Sequence, residues 1–247
     1  MDSIKVFDIP PRMKDDRRAA GVIVAAGSFT RMGGVAKQTA LLGDMPVIAH
    51  SIKAFQDSEN IREIVVVSRP DDMSRFMQIC IEYGFDKVRA IVAGGDTRQQ
   101  SVFNGIGVVK GGAAYFAIHD GARPLIKPET IDRVIEEGWK YGAATAAVPT
   151  KNTIKVSDKD GFVVSTPDRR FLWSIQTPQV FKADLYLKAM ENASVNGCDF
   201  TDDCQLVEQL GSKVYLVNSE YDNIKITTPE DIAVAGCLLE HRMNTHS

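Results

Sequence analysis

Apolar residues along the chain fall into short unbroken runs, separated by stretches with helical spacing. The first run, Gly21-Val22-Ile23-Val24-Ala25-Ala26-Gly27, carries no polar side chain and ends in glycine. Such a run predicts a strand buried on both faces, as in a parallel sheet. Pro46 to Phe55 follows with Ile48, Ile52 and Phe55 on one helical face. Ile61 to Val67 and Val88 to Ala93 predict two more buried strands, with a helix over Ser74 to Tyr83 between them. A helix over Arg98 to Val109 groups Val102, Ile106 and Val109, and Tyr115 to His119 reads as a fourth strand. Pro128 to Tyr141 places Ile131, Val134, Ile135 and Trp139 on one face, with Pro128 suited to the first turn and Gly142 to the stop. Ala143 to Pro149 is a further strand. This alternation predicts an α/β fold with a doubly wound, mostly parallel sheet and right-handed connections.

The rhythm breaks between Thr150 and Asp168. Thr153 to Val156 and Phe162 to Val164 flank the turn Ser157-Asp158-Lys159-Asp160-Gly161, which predicts a hairpin. A hairpin with no covering helix must pack on another chain or stay exposed, so residues 150–168 are expected to form an inserted β-arm used in dimerisation. Helices are expected at Lys182 to Asn192 and Asp203 to Gln209, with a strand at Val214 to Val217. Thr228-Pro229-Glu230-Asp231 then opens a last helix, with Thr228 as N-cap, Pro229 at the first position and Asp231 at the third. No internal repeat or linker divides the chain. The expected organisation is an N-terminal arm over 1–20 and one domain over 21–242 that contains the hairpin.

Composition narrows the functional classes. The 247 residues are 44% hydrophobic and 25% charged, which argues against wholesale disorder. A net charge of −3 argues against a polyanion-coating surface, so no nucleic-acid partner is expected. No run approaches the roughly 20 apolar residues of a membrane helix, and none is expected to reach a membrane. Cys80, Cys198, Cys204 and Cys237 form no CxxC pair and lie far from His119, which disfavours a zinc site. Scattered cysteines suit a reducing cytoplasm.

In open α/β sheets, ligands bind beyond the carboxyl ends of the strands. The first such loop runs Ala25-Ala26-Gly27-Ser28-Phe29-Thr30-Arg31-Met32-Gly33-Gly34-Val35-Ala36-Lys37-Gln38. Small residues there let backbone amides approach phosphate, and Arg31 and Lys37 add charge; a plain flexible turn is the competing reading. Neither GxGxxG nor a P-loop is present, which weakens dinucleotide oxidoreductase and P-loop readings. Gly94-Gly95-Asp96-Thr97-Arg98-Gln99-Gln100-Ser101 could bring amides to a base or ribose, or could be an Asp-capped helix start. In His119-Asp120-Gly121-Ala122-Arg123-Pro124, Asp120 suits a divalent cation and Arg123 a phosphate, unless the two simply pair with each other. Thr153, Arg169, Thr177, Thr201 and Lys225 are each, taken alone, ordinary surface or capping residues.

Taken together, AAGSFTRMGG with the following KQ, GGDTRQQSV, HDGARP, NTIK, DRRFLWSIQTPQ, TDD and DNIKITTPED resemble the 2-C-methyl-D-erythritol 4-phosphate cytidylyltransferase family, from about Gly21 to Leu239. The chain departs from the family pattern at Phe29 and Ala36. The resemblance implies a Rossmann-like nucleotidyltransferase that joins CTP to a polyol phosphate with Mg²⁺. It implies that Ala25, Ala26, Gly27, Gly94, Gly95, Asp96 and Ser101 hold cytidine, and that Arg31, Lys37 and Lys225 act on the phosphates. It implies that Asp120, Arg123, Thr177 and Thr201 line the acceptor side, Asp120 also being the metal candidate. Thr153 and Arg169 are implied to reach the partner subunit's site in a homodimer. Ribitol 5-phosphate cytidylyltransferases share the fold and chemistry, but HDGARP and NTIK favour the methylerythritol substrate. A non-catalytic nucleotide-binding relative is the remaining alternative, and retention of Arg31, Lys37, Asp120 and Lys225 argues against it.

Overall fold

The computed structural model describes residues 16–27, 37–109, 112–200 and 202–245. Its centre is a seven-stranded sheet in the order β11-β7-β10-β6-β1-β4-β5. These strands are β1 (Ala19–Val24), β4 (Ile61–Ser68), β5 (Val88–Ala93), β6 (Tyr115–Asp120), β7 (Ala143–Pro149), β10 (Trp173–Lys182) and β11 (Tyr215–Asn218). All neighbours are parallel except β10, which runs antiparallel to both β6 and β7. A mostly parallel sheet is therefore what the molecule has.

Helices cover both faces. Ala19 and Ile23 of β1, with Ile64 and Val66 of β4, join α1 (Val47–Asp57), α2 (Met73–Glu82) and α4 (Pro128–Tyr141) in one apolar cluster. Ala20, Val22, Val65 and Val67 face the other way, onto α3 (Arg98–Ile106), α5 (Ala183–Val195) and α6 (Asp203–Glu208). Successive side chains of one strand thus enter two different cores, which is why these strands read as unbroken apolar runs. On the expected helical faces, Ile48, Ile52 and Phe55 have no exposed surface, nor do Ile131, Val134 and Ile135. Gly142 ends α4 with φ +82°, the left-handed geometry glycine adopts without penalty. In α3, a Cβ at Gly105 would meet Val22 and Val67 at 2.7 Å, so glycine lets this helix lie close on the sheet.

The last helix, α7 (Pro229–Thr245), begins as expected: Asp231 accepts hydrogen bonds from the Thr228 N–H (2.9 Å) and the Thr227 N–H (2.7 Å). It packs Ala235 with Leu42, Val47, Leu125 and Ile226 in a third small cluster. The hairpin forms as β8 (Val156–Ser157) and β9 (Val163–Ser165), narrower than the expected runs and fully exposed. Asp158 Oδ1 closes its turn by accepting from the Asp160 N–H (3.0 Å) and the Phe162 N–H (2.9 Å).

Several boundaries depart from the sequence reading. β1 starts at Ala19 and ends at Val24, so residues 25–27 form a loop rather than the end of a strand. The hydrophobic run is longer than the hydrogen-bonded strand because Ala25 continues into the core after the ladder stops. α3 ends at Ile106 instead of Val109. A two-strand turn, β2 (Leu41–Leu42) with β3 (Met45–Pro46), precedes α1 and was not expected. The largest omission is β10 itself. Its middle, Gln176-Thr177-Pro178-Gln179, is polar and contains a proline, which argues against an interior strand. The chain accommodates Pro178 where the β10–β7 register breaks between Ile175 and Gln179.

Candidate active site

The loops after β1, β5 and β6 meet the segment after β11 around a cavity of about 320 Å³. Ala26, Gly27, Lys37, Gly95, Asp96, Ser101, Asp120 and Lys225 line it, together with Val24, Gln38, Thr97, Arg98 and Ala122. Half of the residues singled out in the sequence therefore line one cavity. A cavity of similar size, about 330 Å³, lies against the outer strand β5 and α2 and is lined mainly by apolar side chains such as Met77, Ile81 and Phe85. Volume alone does not separate the two; convergent charge does.

The glycine wall is built by close approach. A Cβ at Gly94 would collide with Ala26 and come within 2.8 Å of Ser101 Oγ, so the β1 and β5 loops can touch only if residue 94 is glycine. Ser101 ties the wall together: its Oγ accepts from the Gly95 N–H (3.1 Å) and donates to the Thr97 carbonyl (2.9 Å). The N-cap of α3 is Thr97, whose hydroxyl oxygen accepts from the Gln100 N–H (3.1 Å). Asp96 is thus not the capping residue, and it stands exposed on the cavity wall. Ala25 and Gly94 lie behind the surface, with their N–H groups committed to the carbonyls of Val67 (2.7 Å) and Ser68 (2.8 Å).

At the floor, three cations surround one carboxylate. Asp120 Oδ2 is 2.7 Å from Lys225 Nζ and 3.8 Å from Arg123 Nε, and Oδ1 is 3.5 Å from Arg98 Nε. Burial alone would raise the Asp120 pKa, but the charges of Lys225, Arg98 and Arg123 outweigh it and hold the carboxyl far below its ordinary range. Arg123 also donates from Nη1 to the Asn223 carbonyl (2.9 Å), while its Nε has no hydrogen-bond acceptor. Asp120 and its three cations carry two net positive charges, of which Asp203 beside Arg98 offsets one, a setting for phosphate.

Beneath the floor, β6 and β10 are joined side chain to side chain. Thr177 Oγ1 accepts from the Asp120 N–H (3.0 Å) and lies 2.9 Å from His119 Nδ1. Nε2 faces the Arg123 carbonyl at 3.3 Å, which can only accept, so the neutral ring carries its proton there and the Thr177 hydroxyl donates to Nδ1. His119 is fully buried, and burial pushes its pKa down to about 3, so the ring is neutral. It stacks obliquely on Phe55, with ring centroids 5.0 Å apart. Asn223 Nδ2 donates to Gln176 Oε1 (2.8 Å) and the Thr177 carbonyl (3.1 Å), locking the Lys225 segment to β10.

The model of the 2-C-methyl-D-erythritol 4-phosphate cytidylyltransferase family matches residues 19–241 of this chain. The chain belongs to that family. The cytidylyltransferase of that name from Caldanaerobacter subterraneus subsp. tengcongensis is 48% identical over 222 residues, 89% of this chain and 98% of that protein. Its counterpart from Desulforamulus reducens is 45% identical over 223 residues, covering 90% and 95%. Among solved structures, the 4-diphosphocytidyl-2C-methyl-D-erythritol synthase of Anaerococcus prevotii superposes with TM-score 0.82 at 32% identity, covering 92% of this chain and 97% of that one. The Thermus thermophilus cytidylyltransferase gives 0.72 at 28%, covering 90% and 98%.

As a member of the cytidylyltransferase family this chain is a nucleotidyltransferase. Not every residue carried over by resemblance is at the cavity. Arg31 and Thr201 lie outside the described residues. Thr153 and Arg169 sit on or beside the exposed arm, and Arg169 Nη1 donates to the Lys151 carbonyl (2.9 Å). Conversely, Arg98, Gln38 and Asn223 belong to the site although their local pattern singled out none of them. Arg98 had one signal: a cation at the start of a helix opposes the helix dipole, so some partner elsewhere had to favour it there. As for Mg²⁺, no group of three or more His, Cys, Asp or Glu side chains that could hold a metal occurs among the described residues. Asp120 is a cavity-lining carboxylate that could help to hold a divalent cation bound mainly through substrate phosphates.

Proposed function

We propose that the chain transfers the cytidylyl group of CTP to the phosphate of 2-C-methyl-D-erythritol 4-phosphate, releasing pyrophosphate, as a step of isoprenoid precursor synthesis. The observation that carries this reading is the cationic cluster of Lys225, Arg98 and Arg123 around Asp120, set beside a glycine-walled cavity in a chain of this family. The relatives bear the methylerythritol name, and none of the site geometry favours ribitol phosphate or a merely binding role.

An acceptor phosphate is already ionised at neutral pH, so its oxygen can attack the α-phosphorus of CTP in line without a protein base or nucleophile. The protein then works by positioning and by charge stabilisation. Ala26, Gly27, Gly95, Asp96 and Ser101 hold the cytidine, with Ala25 and Gly94 shaping the wall from behind. Lys37 and Arg31 neutralise the triphosphate, and Lys225 turns to the reacting phosphates. Asp120, Arg123 and Thr201 orient the acceptor, and Thr177 acts from beneath by pinning the Asp120 backbone. Mg²⁺, when bound, would supply charge neutralisation for the triphosphate, and Asp120 would help to hold it.

A second copy of the chain is the proposed partner. The arm exposes Phe162 (73%), Val164 (65%) and, at its base, Phe171 (78%), an apolar surface suited to a partner. Packing that surface on another subunit would carry Thr153 and Arg169 to the partner's site. We read residues 21–242 as one nucleotidyltransferase domain, to which β1 adds Ala19 and Ala20 from the segment the sequence reading assigned to the arm over 1–20. The four free cysteines suit a cytoplasmic location. Among the described residues, no helix is long and apolar enough to cross a membrane.

The test is pyrophosphate release from CTP and Mg²⁺ with each acceptor in turn. Release with methylerythritol phosphate is expected. Release with ribitol 5-phosphate alone overturns the substrate, and release with neither overturns the activity. Light scattering of the wild type against a Phe162→Ser, Val164→Ser variant tests the arm, with conversion of a dimer to a monomer expected.

A further inference from the structure

Arg98 occupies the first position of α3, with no acidic residue in that turn to offset it against the helix dipole. Its guanidinium nevertheless forms an ion pair with Asp203, whose side chain is only 1% exposed. Asp203 also accepts a hydrogen bond of 2.6 Å from the hydroxyl of Tyr186, a side chain with no exposed surface. On its other side, Arg98 reaches Asp120 Oδ1, while Lys225 takes Oδ2. The two oxygens of Asp120 therefore meet close cations of unequal freedom, with Arg123 Nε farther off at 3.8 Å. The Lys225 side chain is 41% exposed on a loop, whereas Arg98 is fastened from behind by buried Asp203, which Tyr186 in turn holds.

We propose that Arg98 is a positioning residue: anchored by Asp203 and Tyr186, it keeps the Asp120 carboxylate in place when Lys225 leaves it for substrate phosphates. This rests on the cytidylyltransferase reading of the cavity. At 2.7 Å the Lys225 ammonium is committed to Asp120. A nucleoside triphosphate brings about four negative charges and competes for that ammonium. Once Lys225 turns, an Asp120 left with only Arg123, at 3.8 Å, would no longer be held firmly and would swing away from the acceptor. Arg98 prevents this because Asp203 stops it from following Lys225. A planar guanidinium can bridge two carboxylates in this way; an ammonium on the same stem is a single point charge.

The experiment measures kcat and KM with CTP and methylerythritol phosphate, and CTP affinity by calorimetry, in five variants. R98Q is expected to lower kcat by roughly tenfold to a hundredfold, with CTP affinity changed by less than about threefold. R98K restores only part of the loss. D203N lowers kcat in the same direction by about threefold to tenfold, and Y186F by less, because both act through Arg98. The R98Q/D203N double variant removes the buried pair together, so it keeps its melting temperature and is no slower than R98Q alone. Folded R98Q with kcat within about twofold of wild type overturns the proposal, as do losses that multiply in the double variant. Wild-type protein that releases no pyrophosphate would overturn instead the reading beneath it, so the two failures are distinguishable.

Discussion

Strands β1 and β10 flank β6 on its two sides, yet they are held in the sheet by different forces. β1 is parallel to β6 and buries hydrocarbon on both faces. β10 is antiparallel and buries Gln176, Thr177 and Gln179, each below 8% exposure. Buried polar groups are tolerable only when paired. Here Gln176 bonds the Glu220 carbonyl (3.1 Å) and Asn223, Thr177 bonds Asp120 and His119, and Gln179 bonds Asp202. The apolar side of the sheet is scaffold. The polar side backs the site, because Asp120 lines the cavity and Asn223 ties the Lys225 segment to β10.

The contrast breaks most visibly on stability. Ile64 on β4 has no exposed surface and packs in the same cluster as Ile23 and Ile52. Ile64→Ala should cost about 2–5 kcal/mol in urea unfolding while kcat of the folded fraction stays near wild type. A matching collapse of kcat would mean that scaffold and wall are not separate. Lys37→Ala tests the opposite corner. Removing one preorganised charge should lower kcat by roughly a hundredfold with the unfolding midpoint unchanged. A near-normal kcat would remove Lys37 from the phosphate machinery.

What could be read from the chain follows the same division. Unbroken apolar runs located β4, β5, β6 and β7 almost to the residue, because a strand buried on both faces leaves nothing else to put there. β10 was illegible because its order comes from hydrogen bonds to Asp120, Asp202 and Asn223, residues far away in the chain. The site divides likewise. Glycines and cations at strand ends marked the loops, since those residue types have local reasons to be there. Arg98 and Asp203 are 105 positions apart, and no local spacing couples them.

Thr177→Val sharpens the comparison at a single atom. The substitution keeps the shape and deletes the hydroxyl that serves both the Asp120 N–H and His119 Nδ1. Two buried polar groups lose their partner, so unfolding should cost about 2 kcal/mol less than in wild type. KM for the acceptor should rise with it, since the Asp120 backbone is no longer pinned. Thr177→Ser should recover most of both effects. A Val variant as stable as wild type would show that burial alone holds β10.

The smallest effect concerns the residue that touches both regions. His119 lies against Phe55 on the apolar side and against Thr177 on the polar side. Burial lowers its pKa to about 3, whereas the unfolded chain returns it to about 6.5. Between those two values the unfolded state binds a proton that the folded state refuses, so stability falls as pH falls. The contribution of His119 is intact above the unfolded pKa and declines through the window from about 6.5 down toward 3. Between pH 7 and pH 6 the loss should be about 0.7 kcal/mol, in a range where ordinary carboxylates stay ionised. Urea unfolding of ligand-free protein in the presence of a chelator measures it, and His119→Gln, which cannot titrate, should abolish that slope. If the slope persists in the variant, the protonation lies elsewhere and the neutral ring is not what joins the two sides of the sheet. If it disappears, a single imidazole spans the boundary: hydrocarbon holds one of its edges, and a hydroxyl of the wall fixes its proton.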